Sequence, residues 1–69
     1  MAFRRNLGEN IQMNRKRAGL SQEKLAEKSD LSTVFISNLE CAKVTVSVDS
    51  LARIAKALGV PLRDMFSEK

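Results

Sequence analysis

The sequence predicts an all-α fold of five short helices, on three observations. Apolar residues recur three and four apart along most of the 69 residues. The three glycines and the one proline each fall where a helix could start or end. A single segment, 43–48, alternates in polarity like a strand, and it has no partner strand.

The first helix is expected over 3–18, with Leu7 and Ile11 four apart and Asn14 and Ala18 continuing the stripe more weakly. Gly19 suits a left-handed C-terminal cap, and Arg15, Lys16 and Arg17 in the last turn complement the helix dipole. Leu20 then packs back onto the helix. Ser21 is an N-cap for a second helix, 22–29, which turns Leu25 and Ala26 inward and Glu23, Lys24, Glu27 and Lys28 to water. Asp30-Leu31-Ser32 reads as a tight turn, and Ser32 caps a third helix, 33–41, anchored by Ile36 and Leu39. The segment from Lys43 to Val48 is read as an extended loop that tucks in Val46 or Val48. Ser47 caps a fourth helix, 48–58, whose stripe is Leu51, Ile54, Ala55 and Leu58 and whose end is Gly59. Pro61 suits the entry to a fifth, 62–67, with Leu62, Met65 and Phe66 as its apolar face.

Composition narrows the function. Hydrophobic residues at 43% and charged residues at 29% describe an ordinary globular chain, read as one domain over 1–69. A chain this short buries roughly 60% of its unfolded surface, so self-association or tight helix packing must support it. One cysteine and no histidine exclude an internal disulfide and the usual zinc sites, and no cofactor motif is present. No apolar run approaches a membrane span and no signal peptide opens the chain, so the cytoplasm is the expected compartment. The net charge of +4 is unevenly placed: residues 1–20 hold Arg4, Arg5, Arg15, Lys16 and Arg17 against Glu9 alone. A basic face suits a phosphate backbone or an anionic membrane surface.

Residues 20–40, LSQEKLAEKSDLSTVFISNLE, form two short helices joined by a tight turn. With Leu7-Gly8-Glu9-Asn10-Ile11 before them and the helix Leu51-Ala52-Arg53-Ile54-Ala55-Lys56-Ala57-Leu58-Gly59-Val60 after, they resemble the helix-turn-helix family of lambdoid phage repressors and Cro, the XRE family. The resemblance spans nearly the whole chain, with the motif at about 22–41. It implies a compact lambda-repressor-like domain that binds double-stranded DNA and regulates transcription, with helix 33–41 in the major groove.

Residue by residue, the resemblance assigns base reading to Thr33, Val34, Ser37 and Asn38. Asn38 can bond adenine in bidentate fashion and Val34 can meet a thymine methyl, which predicts an A·T-biased core. The helix has no arginine or lysine before Lys43. Any guanine reading then falls to Lys43 or to Arg4 and Arg5, or to DNA shape. Phosphate contacts fall to Ser21, Gln22, Ser32, Lys43 and Thr45, some at helix N-termini that favour anions. Arg15 and Glu40 match a structural salt bridge that ties the first helix to the third. Glu23 and Glu27 match residues that touch RNA polymerase in activating relatives, or form a solvated face. Leu62, Met65 and Phe66 are candidate contacts of a homodimer, or belong to the core.

This sequence also departs from the family. Asp30 and Ala42 stand where glycine is usual, and Val46 where proline is frequent. Asn14 stands where leucine is frequent, so the core is looser there or Asn14 bonds across it. Cys41 has no histidine to activate it and reads as a small residue near the DNA-facing end of the third helix.

The chain stops soon after the fifth helix, like Cro-like repressors and the controller proteins of restriction–modification systems. One such module buries about 600–1,000 Å² on DNA, so paired binding to a palindromic or pseudo-palindromic operator is expected. An antitoxin or other protein-interaction module of the same fold is the alternative, and no extra segment for a toxin is visible. An enzyme is disfavoured by the absence of a glycine-rich phosphate loop, a metal set or a histidine base. Membrane binding lacks a long helix with one broad apolar face.

Overall fold

Three serines start three of the helices. Ser21, Ser32 and Ser47 each hold extended backbone, and each hydroxyl oxygen accepts the amide N–H three residues on, from Lys24, Phe35 and Ser50. A computed structural model describes residues 3–66. These form α1 (Phe3–Arg17), α2 (Gln22–Ser29), α3 (Thr33–Glu40), α4 (Val48–Leu58) and a closing 3-10 helix (Leu62–Phe66), with no strand among the described residues.

The four α-helices end alike. Residues 19, 30, 42 and 59 all lie in the left-handed region, with φ between 59° and 74°. In each case the amide of that residue and the amide of the next turn back onto carbonyls of the last helical turn: Gly19 and Leu20 onto Lys16 and Arg15, Ala42 and Lys43 onto Leu39 and Asn38. This is the Schellman arrangement. Leu20, Leu31 and Val60 follow three of these turns and pack on the core, whereas the exposed Lys43 follows the other.

The same turns correct two helix ends. Helix α1 ends at Arg17 and α3 at Glu40, so Ala18 and Cys41 lie just beyond them, each one residue before the left-handed turn. The expected fifth α-helix is a five-residue 3-10 turn that opens with the Asp64 amide donating to the Pro61 carbonyl at 3.0 Å. So short a segment gains too few bonds to nucleate an α-helix. Its expected last residue, Ser67, lies outside the described residues. The segment before α4 is an extended loop, but it tucks in Val44 and Val46 and leaves Val48 exposed.

The core draws Leu7 and Ile11 from α1, Leu25 and Ala26 from α2, Ile36 and Leu39 from α3, four residues from α4 and Met65 from the 3-10 helix. Helix α2 packs on α3 and α4, while α1 packs on α3 and the 3-10 helix. The inner stripe of α1 does not run on to Ala18, which is exposed; Asn10 and Arg15 take part in it instead. Asn10 donates its side-chain N–H to the Met65 carbonyl at 3.1 Å. Asn14 bonds neither across the core nor into it, because its amide turns back to the Asn10 carbonyl at 2.8 Å.

Two features join α1 to α3. The first is Gly8, which sits inside α1 and not at its start or end. A Cβ there would lie 2.6 Å from the Leu39 carbonyl oxygen and 2.9 Å from that of Glu40, so the helices touch backbone to backbone. The second is ionic. Arg15 Nε donates to Glu40 Oε2 at 2.6 Å and Nη2 to Oε1 at 3.2 Å, while Nη1 holds the Leu20 carbonyl at 2.9 Å. The two side chains are 10% and 3% exposed, so the pair is shielded from water and salt.

Gly8→Ala tests the close approach. Alanine favours a helix by about 1 kcal/mol over glycine, yet the clash with fixed carbonyls should turn this into a net loss of roughly 1–3 kcal/mol. Ala42→Gly should act the other way, relieving left-handed strain and raising stability by about 1 kcal/mol after the larger unfolded-state entropy of glycine. Thermal denaturation checks both, since about 1 kcal/mol moves Tm by roughly 4–8 °C in a domain of this size.

Candidate nucleic-acid interface

Helix α3 buries one side and offers the other. Ile36 and Leu39 are buried and Phe35 leans on the core. At 100° per residue this leaves Thr33, Val34, Ser37 and Asn38 on the outward arc. Thr33 is exposed, Val34 is 70% exposed, and Ser37 and Asn38 are half-buried. Cys41 is exposed at the end of the same helix.

The polar candidates gather around the starts of α2 and α3 and the end of α3. Ser21 and Ser32 cap their helices through the hydroxyl oxygen, which leaves each O–H able to donate outward. Gln22, half-buried in the first turn of α2, donates Nε2–H to Glu40 Oε1 at 3.0 Å. Lys43 is exposed, with its amide fixed on the Asn38 carbonyl at 2.9 Å. The amides of Val44, Thr45 and Val46 find no hydrogen-bond partner among the described residues. The side chains of Arg4 and Arg5 lie outside what the structure describes.

Other sequence-assigned residues are placed as follows. Glu23 and Glu27 are both exposed on α2, and Glu27 pairs with Lys24 at 3.3 Å. Met65 is fully buried, which removes it from any surface; Leu62 is half-buried and Phe66 is 43% exposed. The apolar surface of the 3-10 helix is thereby reduced to Leu62 and Phe66. A groove between α2 and α4 is lined by Lys28, Ser29, Asp30, Arg53, Lys56 and Ala57, none of them a sequence-assigned site residue. Among the described residues no three acidic, histidine or cysteine side chains converge as a metal site would need, and no helix is long and apolar enough to cross a membrane.

Three structural roles escaped the sequence reading: Gly8, Asn10 and the bond from Gln22 to Glu40. A glycine inside a periodic helix is a general signal of close packing, and an asparagine three residues after Leu7 falls on the apolar face. The Gln22 bond has no sequence signal, because it depends on how α2 and α3 cross.

Comparison with known proteins gives these features a family. A helix-turn-helix family model matches residues 11–65. The control protein C.BamHI of Bacillus amyloliquefaciens is 41% identical over 54 residues, which is 78% of this chain and 67% of that protein. The HTH-type transcriptional regulator PuuR of Escherichia coli is 36% identical over 61 residues, 88% of this chain, and the chain spans 33% of that regulator's length. The crystal structure of the restriction-modification controller protein C.AhdI from Aeromonas hydrophila superposes with a TM-score of 0.90 at 30% identity, covering 91% of this chain and 96% of that one. With the family model matched over most of its length and its helices superposing on a controller protein, this chain belongs to the helix-turn-helix family, in the XRE group of repressor- and Cro-like proteins.

Proposed function

We infer that this chain is a transcriptional regulator that binds double-stranded DNA sequence-specifically, as a dimer on a palindromic or pseudo-palindromic operator, with α3 in the major groove. The observation that carries this reading is the division of α3 into a buried anchor, Ile36 and Leu39, and an outward arc of Thr33, Val34, Ser37 and Asn38. Asn38 suits adenine, Thr33 donates or accepts, and Val34 suits a thymine methyl. Phosphates are gripped by Ser21 and Gln22 at the start of α2, Ser32 at the start of α3, and Lys43 and Thr45 with the loop amides beyond it. The controller proteins among its relatives support a regulatory role, and the cytoplasm is the compartment this reading takes.

Dimerisation rests on size and on the 3-10 helix. One module buries too little DNA surface for tight binding alone. Leu62 and Phe66 offer an apolar contact beside a fully buried Met65. Glu23 and Glu27, exposed on α2, form the face for a contact with RNA polymerase.

Selection of bound duplexes from a random pool tests the reading. The expected result is a palindrome rich in A·T with half-sites about one helical turn apart. Asn38→Ala should relax one position per half-site at a cost of roughly 1–3 kcal/mol. Recovery of no motif, with binding that depends on salt alone, would falsify specific reading by α3. Lys43→Ala should instead weaken all sequences alike and reduce the salt slope by about one per protomer, which titration of a labelled duplex at several salt concentrations measures.

A further inference from the structure

We infer that Glu40, assigned by the sequence to the fold alone, is a positioning residue for DNA: it holds the Gln22 amide in the orientation that meets a phosphate. The inference rests on the DNA-binding reading above. Gln22 Nε2 donates to Glu40 Oε1 at 3.0 Å, and the same oxygen accepts from Arg15 Nη2 at 3.2 Å. The other oxygen accepts from Arg15 Nε at 2.6 Å. Arg15 supplies the counter-ion on both carboxylate oxygens, and Gln22 adds a third, uncharged donor.

Gln22 gains a fixed orientation from this contact. An ionised carboxylate only accepts, so it takes the NH₂ end of the amide and never the carbonyl end. One N–H is held on Glu40, and the second stays available at the first turn of α2, where the helix dipole also favours an anion. A glutamine otherwise has several rotamers to lose when it grips a ligand. Fixing it beforehand removes that loss from the binding step. Glu40 cannot swing away, because Arg15 is itself fixed to the Leu20 carbonyl, two residues before Gln22. Its charge is neutralised by Arg15, so a carboxylate can stand near a phosphate without repelling it.

Glu40→Asp draws the carboxylate back by one methylene while keeping the charge for Arg15, and a cycle with Gln22→Ala isolates the contact. All four proteins are compared on one selected duplex, at a temperature where circular dichroism shows each to be folded. Gln22→Ala should weaken binding roughly tenfold, as loss of a hydrogen bond to a charged group does. Glu40→Asp should weaken the wild type several-fold, but the Gln22→Ala protein by no more than about twofold, the limit of independent behaviour. The salt slope should stay constant across the four, since no cation is lost; a loosened fold that displaces Lys43 would lower it.

Losses that simply multiply, or a slope that falls with Glu40→Asp, would overturn the positioning role and leave Glu40 structural. A wild-type chain that binds no duplex overturns the DNA reading itself. The free protein gives an independent readout that needs no variant of the bridge. In a ¹⁵N–¹H spectrum, one Gln22 side-chain proton should be shifted downfield and slow to exchange, and DNA should move the other. Two protons at the positions of a solvated amide would overturn the inference.

Discussion

Burying a carboxylate in so small a protein is unfavourable unless donors meet it on every side. Glu40 is tolerated because Arg15 supplies a two-pronged contact and Gln22 a third N–H. The consequence reaches three elements at once. Arg15 lies in α1, Gln22 opens α2, and Glu40 closes α3, so one carboxylate fixes the mutual setting of three helices. The guanidinium also holds the Leu20 carbonyl, which fixes the turn between the first two. Gly8 lets α1 come close enough for this, since its Cα faces the carbonyls of Leu39 and Glu40 themselves. The pair specifies the geometry more than it adds net stability, because desolvation offsets much of its attraction.

What the sequence made legible follows from how local each signal is. The starts of α2, α3 and α4 depend on a serine and the amides three residues on, and all three were readable. The end of α4 depends on Gly59, and it was readable too. The ends of α1 and α3 were each placed one residue late, because Ala18 and Cys41 carry no side-chain signal distinguishing them from the last turn. Val44 and Val46, rather than Val48, pack against the core, a choice that alternation alone could not tell. The Arg15–Glu40 pairing came from family resemblance, since residues 25 apart have no local relation. The Gln22 contact and the role of Gly8 needed the helix crossings themselves.

The helix ends also set α3 apart from α1 and α4. Helices α1 and α4 end on Gly19 and Gly59, which adopt positive φ without strain. Helix α3 lies instead between Asp30 and Ala42, at φ 59° and 61°, where an L side chain is disfavoured. Both ends keep the same pair of backbone hydrogen bonds, so hydrogen bonding and packing hold the turns against local preference. A side chain at such a position narrows the conformations the turn can reach. Here that narrowing applies to the residues that lead into and out of the proposed groove-facing helix.

The distribution of charge then sets how affinity and specificity divide. Helix α3 carries no cation, and its outward arc is hydroxyl, amide and valine. In the proposed interface such a face would serve base discrimination but attract DNA weakly, because the long-range term belongs to charges. The exposed cations lie on other elements, among them Lys16 and Arg17 in the last turn of α1, shortly before Ser21 and Gln22, and Lys43 just after α3. They flank α2 and α3 in sequence on both sides. A lysine beside the path of a phosphate backbone draws any duplex alike, whereas an asparagine or a valine in the groove gains only from the right bases. In this proposed interface, salt therefore tunes how often the protein meets DNA, and the uncharged arc of α3 decides where it stays.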